Sequence, residues 1–524
     1  MTTLLGIFAL ILSAHAYTWP DPKIEFADKV LYQDSFLPSI VQNCVQRDHT
    51  TVSAQWVRLA YHDMATYDAE AGTGGLDGSI VYELHREQNK GVAMTSSLND
   101  LVFFTSPATG PVASCGGPVI PFRAGRIDAT SAGPETVPEP HEDLAAHTAN
   151  FKRQGFSQQE MIGLVACGHS LGGVSKKDFP DIILDPKTEL VQFANTHQFD
   201  NKVVTDYLSG TTINPLVIGP NTTTNSDLRI FGSDGNSTMK NLASADNFSK
   251  TCATLYEKMI NSVSKGTNLT EVINPIEYKV LNPRLFPGKD GSLTFSTSLR
   301  LLTQNPKRKI TLHWTDRRSK GTVCPTTTGC SVPYTHGRST LTTVLANKLG
   351  KGNMVVYGFE AKVNATTSMS KFWFEVDEGN GSKPIIVDNG GKGYRINQDV
   401  VLFDRSRSSL AFGGSSTTGL HRRGGGIGGP APTLSYNVVV AARGGRKSNI
   451  TAITYEPGNS PSNFKPIIKH TTLLPDSKLP SIAGFTFYSA TVTYGNASLT
   501  HMDIIGEVCG KTYKQKFIDA ADLG

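Results

Sequence analysis

Trp56–Ser79 reads WVRLAYHDMATYDAEAGTGGLDGS, and its first half decides how the front of the chain folds. Val52, Trp56 and Leu59 recur at roughly helical spacing. Arg58 and His62 are one helical turn apart and therefore share a face. A neutral imidazole beside a fixed cation can carry a proton between two oxygens of a small molecule while the cation stabilises developing negative charge. Taken alone, such a pair on a helix is more often a structural hydrogen bond.

A second segment bears on that choice. Ser157-Gln-Gln-Glu160 has the form of a capping box and opens a helix, MIGLVACGHSLGG, that stops at Gly172-Gly173. His169 shares its face with Ile162 and Val165, a position open to a core histidine or to a ligand. Together, Arg58-x-x-x-His62-Asp63 and Gly168-His-Ser-Leu-Gly172 resemble the plant, fungal and bacterial haem peroxidase superfamily. The resemblance runs from about residue 35 to residue 275, through GSIVYELHREQNKG, VIPFRAGRIDA and NSDLRIF. The LxACGHS form is similar to the secreted fungal branch.

The resemblance implies a mainly α domain binding haem b. Arg58 and His62 match the distal arginine and histidine, and Asn89 matches the asparagine that accepts the histidine's other N–H. His169 matches the iron ligand. Two carboxylates, Asp200 and Asp227, both follow it. The family's spacing assigns Asp227 to the imidazole and Asp200 to a cation. In the implied reaction His62 moves the peroxide proton and Arg58 stabilises the departing hydroxide. Two one-electron donors then restore the resting state.

Secreted relatives hold calcium on the distal side, and Asp63, Gly75, Asp77 and Ser79 match that all-oxygen site. An Asx-bonded turn would use the same residues. Ser170, Asn195 and Asp200 match part of a proximal cation site, but Phe193 stands where a Thr or Asp is expected. Manganese-oxidising relatives carry acids where this chain has Thr51, Gln55 and Lys176. Ascorbate and cytochrome c peroxidases place a Trp beneath the haem; here the candidates are Gln192 and Phe193. Leu164 and Asp178 likewise depart from lignin- and ascorbate-oxidising patterns, so the reducing substrate stays open. Tyr61 replaces the more usual Phe or Trp.

Residues 1–16, MTTLLGIFALILSAHA, form a short apolar run ending in small residues, as a cleaved secretory signal does. Sequons at Asn221, Asn236, Asn247, Asn268, Asn364, Asn380, Asn449 and Asn496 fit an extracellular glycoprotein. No later stretch is apolar enough to span a membrane. A net charge of +5 over 524 residues does not suggest nucleic acid. Seven cysteines leave one unpaired in a monomer. By resemblance Cys44 pairs with Cys115. Cys324 and Cys330 would close a tight loop, Cys252 and Cys509 would staple the two halves, and Cys167 would be free.

From about residue 275 the pattern changes. KITLHWTD, TLSYNVVVAAR and FTFYSATVTY alternate apolar and polar residues between Gly/Ser/Pro clusters. A haem domain over 17–275 and a β-rich region over 276–524, one or two antiparallel sandwiches, are therefore expected. The expected function is a secreted peroxidase acting on hydrogen peroxide and a small reducing substrate. The rivals are a wall-polysaccharide binder with a secondary haem domain, and a haem protein without turnover; intact Arg58, His62 and Asn89 argue against the latter.

Overall fold

The computed structural model describes residues 17–33, 44–101, 109–194, 196–318, 330–413, 433–444, 448–456, 467–494 and 501–519. The signal-like stretch 1–16, Asn195 and Cys324 lie outside them.

The first part is helical. Thr51 starts the Val52–Met64 helix, its side chain accepting the Ala54 N–H. Ser157 and Glu160 form the expected reciprocal capping box ahead of the Gln158–Gly168 helix. The longest helix, Ala245–Asn261, buries Phe248, Cys252, Leu255, Tyr256, Met259 and Ile260 along one stripe. It packs against Gln158–Gly168, where Gly163 gives Leu255 room: a Cβ there would lie 2.8 Å from Leu255 Cδ1.

This packing corrects two cysteine expectations. Cys167 is not free but bonded to Cys252 across the two helices. Both are fully buried in the helical core and face each other there. Cys252 therefore cannot staple the halves, and among the described residues Cys509, at an exposed hairpin tip, is the free thiol. Cys44 is bonded to Cys115. Cys330 is also disulfide-bonded; its expected partner Cys324 lies outside the described residues.

The second part is antiparallel sheet. One sheet has the spatial order Tyr278–Pro287, Leu293–Leu301, Val355–Val363, His336–Ser339. A second has the order Ile385–Val387, Met369–Asp377, Lys309–Asp316, Ser331–Pro333, with Tyr394–Arg395 on Met369–Asp377. Their inner faces interlock as a sandwich, with Phe295 4.9 Å from Phe372 and Phe359 5.2 Å from Phe374 between ring centroids. The third sheet runs Val401–Phe403, Thr433–Arg443, Phe485–Tyr494, Ile467–Pro475, Ser448–Glu456, His501–Val508, Lys511–Asp519, with Ser409–Gly413 on Thr433–Arg443. It curls until its first strand meets its last, where Phe403 N–H donates to Gln515 Oε1 at 2.6 Å.

Strand alternation explains how this curled sheet attaches. Val438, Val440 and Ala442 point into its own core, while Val439 and Ala441 join the sandwich core. Phe485 and Phe487 do the same from the neighbouring strand, which is why both faces of these strands are apolar.

The helical and β parts are joined by more than the chain at residue 275. The Pro22–Tyr32 helix places Asp28, fully buried, against Lys279 Nζ at 2.8 Å and Arg300 Nη1 at 2.8 Å. Thr343 donates to Leu31 O at 2.6 Å, and Leu302, Leu345, Ala346 and Met354 complete the helical core. Trp19 packs edge-on to Tyr394, 5.6 Å away.

Candidate active site

The Val52–Met64 helix carries both distal residues. His62 Nδ1 lies 2.8 Å from Asn89 Oδ1. Asn89 Nδ2 donates to Glu83 O at 3.1 Å, which fixes the amide so that its oxygen faces the imidazole. The Nδ1–H must therefore be the donor, and Nε2 keeps its lone pair for a proton. Burial, then the neighbouring Arg58 charge, push the His62 pKa down to about 3, against a smaller opposing effect of Asn89. The imidazole is thus neutral at ordinary pH.

Arg58 is held by backbone carbonyls, donating to Gln88 O at 3.1 Å and Lys90 O at 3.3 Å. Phe179 lies 5.7 Å from its guanidinium carbon. Burial lowers its pKa to about 10, with Asp178 opposing, so it stays a cation. Asn89 itself is aligned by the short turn Glu87–Asn89 that follows the buried Glu83. Glu83 in turn accepts the Gly133 N–H at 2.7 Å, locking the loop behind it.

On the other side, the Gln158–Gly168 helix ends at His169, its C-cap. His169 Nδ1–H donates to Asp227 Oδ2 at 2.7 Å, and Asn214 Nδ2 donates to the same oxygen at 2.7 Å. Asp227 is buried, while the His169 side chain keeps 28% of its surface open. With Nδ1 committed, Nε2 is the nitrogen left for a metal. A carboxylate partner raises the basicity of such a ligand. Asp200 is elsewhere: it accepts from Lys202 N at 2.9 Å and Thr196 Oγ1 at 3.2 Å within its own loop.

Asn214 was not assigned from sequence, while Phe193, one of the two candidates for the place beneath the haem, is set against the proximal histidine. Phe193 stacks on the His169 ring at 4.0 Å with a 16° tilt, so it forms an aromatic wall rather than part of a cation shell. Its place is set by Phe193 N–H bonding to Gly172 O just past the histidine. Asn214 shares Asp227, and its own Oδ1 caps Leu216. An Asn directly before the Pro that opens a short helix is a signal for the cap, whereas the Asp227 contact has no local signal.

These donors suit haem: one imidazole with a free Nε2, and facing residues able to handle peroxide. For the distal cation, Asp63 Oδ1 and Oδ2 accept the Ile80 and Gly78 N–H groups at 2.9 Å each. Burial raises the Asp63 pKa to about 7 and raises that of Asp77. Ser79 Oγ is buried without a partner. Gly75, at φ +107°, packs its α-carbon so close to Ser262 that a Cβ would sit 2.3 Å from Ser262 O. Two ill-compensated carboxylates beside an unpaired hydroxyl fit a hard cation. Among the described residues no group of three or more His, Cys, Asp or Glu is arranged to hold a metal. Such a site would therefore depend on hydroxyl and carbonyl oxygens. On the proximal side Ser170 donates to Cys167 O at 2.8 Å, so Ser170 and Asp200 are both locally satisfied.

The residues where manganese-oxidising relatives have acids are occupied otherwise. Thr51 caps its helix, Gln55 bonds Arg47, and the Lys176 ammonium donates to Pro180 O and Ile183 O.

Comparison with known proteins agrees with this geometry. The family model described as Peroxidase matches residues 37–245. A WSC domain-containing protein of Arthroderma benhamiae is 35% identical over 61% of this chain and 46% of its own. That extent exceeds the portion before residue 275, so the likeness continues into the β-rich region. L-ascorbate peroxidase 5, peroxisomal, of Arabidopsis thaliana is 34% identical over 30% of this chain and 58% of its own. Cytochrome c peroxidase, mitochondrial, of Emericella nidulans is 32% identical over 22% of this chain and 37% of its own. The matches thus span between 37% and 58% of these relatives' lengths. With its two histidines set by Asn89 and Asp227, the segment 37–245 is a domain of the plant, fungal and bacterial peroxidase family.

Proposed function

We propose that the protein is a secreted haem peroxidase that reduces hydrogen peroxide and oxidises an organic donor in one-electron steps. The observation that carries this reading is the pair of histidines whose Nδ1 atoms are both committed, to Asn89 and to Asp227. Haem, when bound through His169 Nε2, supplies the redox chemistry. The chain's own residues supply the rest. His62 Nε2 takes the proton from one peroxide oxygen and delivers it to the other, which departs as water, and Arg58 offers a fixed positive charge to the negative charge that develops on that oxygen as the O–O bond breaks. Asp227 and Asn214 orient the ligand imidazole. Secretion is supported by the signal-like N-terminus and the sequons.

The test is turnover of the purified protein with hydrogen peroxide against phenolic donors, ascorbate and reduced cytochrome c, with and without manganese. At least one donor should be oxidised, with no dependence on manganese. Haem-loaded protein that consumes peroxide with none of them would overturn the reading. The rival, a wall-polysaccharide binder, needs clustered exposed aromatics. Trp314 is buried in the sandwich core, and Trp373 is half-buried, stacked on His313 at 5.6 Å.

Calcium in the distal loop is part of the proposal, supported by the unpaired Ser79 hydroxyl and the raised Asp63 and Asp77. Chelation with EGTA should lower the melting temperature, and added calcium should restore it. Asp77→Asn should show a lower melting temperature that EGTA no longer changes. Equal EGTA sensitivity in parent and variant would place the ion elsewhere.

Asp227→Asn offers a separate check on ligand tuning. The weaker acceptor makes the imidazole less basic and should raise the Fe(III)/Fe(II) potential. Asp200→Asn should shift it less. The opposite ranking would exchange the two roles.

A further inference from the structure

Where the sandwich meets the curled sheet, one buried carboxylate faces three arginines. Asp399 precedes the Val401–Phe403 strand, and its side chain is 3% exposed. Arg318 Nη2 lies 2.6 Å from Asp399 Oδ2. Arg317 Nε is 3.6 Å from Oδ1 and Arg443 Nη2 is 3.6 Å from Oδ2, too far for good hydrogen bonds. One negative charge thus serves three positive ones. Burial lowers the pKa of both Arg317 and Arg443, with Asp399 opposing and Arg318 adding to the depression.

Among the described residues, the surroundings add neutral acceptors but no second carboxylate to this cluster. Arg443 Nη2 donates to Ala365 O at 3.0 Å, and Arg317 Nη2 donates to Ile396 O. After these bonds, Arg317 Nε and Arg443 Nε remain shielded from solvent with no hydrogen-bond partner among the described residues. Thr367 Oγ1 and Ser368 Oγ are in the same condition. Those hydroxyls belong to the turn whose carbonyls accept the Arg317 N–H at 3.1 Å and 3.3 Å, so they adjoin the same cluster.

We propose that Arg317, Arg318 and Arg443 form an oxyanion site between the two β units, taking a phosphate or sulfate group. Guanidinium forks match tetrahedral oxyanions geometrically, and the two uncompensated charges supply the attraction. Thr367 and Ser368 supply hydroxyl donors. Asp399 holds the arginines in register and neutralises only one of them. The site lies outside the peroxidase domain and carries none of its catalytic groups. The ligand is either a free ion or an ester borne on a sugar, since both present the same oxygens.

The experiment is calorimetric titration of the full-length holoprotein at constant ionic strength, with chloride as background. Inorganic phosphate or sulfate should bind, and saturation should raise the melting temperature by about 2 °C. Arg318→Gln, at the most exposed of the three, should weaken binding about tenfold, as loss of one charge-assisted contact does. If that variant folds poorly, Thr367→Val leaves the Asp399 pairs intact and should also weaken binding. Mannose 6-phosphate distinguishes the sources: tighter binding than inorganic phosphate supports an ester on a glycan, weaker binding supports the free ion. No binding of phosphate or sulfate by the parent would overturn the site. So would unchanged affinity in either variant.

Discussion

His62→Leu slows the reaction with hydrogen peroxide by about 10²-fold or more while haem remains bound. The expectation follows from where the imidazole's two nitrogens are spent. Nδ1–H is used on Asn89, so Nε2 alone can accept the peroxide proton. Leucine fills the place and removes the acceptor. Because burial and Arg58 hold the His62 pKa near about 3, the base is already deprotonated at neutral pH. The parent rate should therefore be level across neutral pH and fall only as pH drops toward that value, where protonated His62 can no longer accept. Arg58→Leu should slow the same step through lost charge stabilisation. Stopped-flow mixing with peroxide measures both, and parental rates in both variants would remove the assignment.

Asp28→Ala destabilises the whole protein by about 3–5 kcal/mol. Its carboxylate accepts Lys279, Arg300 and the Ile276 N–H in a fully buried place. Removing it strands two buried cations, which is costlier than the pair itself is stabilising. Burial pushes the Asp28 pKa up, but Lys279 and Arg300 outweigh that and the net shift is downward. A depressed carboxylate stabilises fully above its unfolded value of about 3.9 and loses that contribution as pH falls through the lower folded value. The deficit of Asp28→Ala, read by urea unfolding, should thus be largest at neutral pH and shrink in strong acid. The same contacts bear on the boundary expected at residue 275. A fragment of 17–275 would leave Asp28 buried without Lys279 and Arg300 and would uncover the core that Leu302, Leu345 and Met354 complete. It should melt well below the full chain. A fragment as stable as the full chain would show that the interface contributes little.

The candidate catalytic groups were legible through the family resemblance, which two local patterns carry. Arg58 and His62 are one helical turn apart, and the capping box announces the helix that ends at His169. The resembled family's spacing separated Asp227 from Asp200, and the fold sets Asp227 against the imidazole at 2.7 Å. What escaped depends on contacts between distant elements. Cys167 meets Cys252 because two helices pack side by side, an arrangement that counting cysteines does not reveal. Phe193 was one of two candidates for the place beneath the haem, and the choice between it and Gln192 rests on a backbone hydrogen bond to Gly172 that sets its ring on His169. Alternation in Thr433–Arg443 announced a strand, yet its two apolar faces serve two different cores, so the curl of the third sheet could not be read from that strand alone. Asp28 looks like any surface aspartate until Lys279 and Arg300 arrive from the sheets.

The central claim is that His169 holds a peroxide-reactive haem. Absorption spectra of the parent and of His169→Ala, each before and after one equivalent of hydrogen peroxide, test it most directly. The parent should show a Soret band that shifts on mixing and returns when a donor is added. His169→Ala should lack the band or show it weak and displaced. A parent without haem, or a variant with the parent's spectrum and response, would contradict the account.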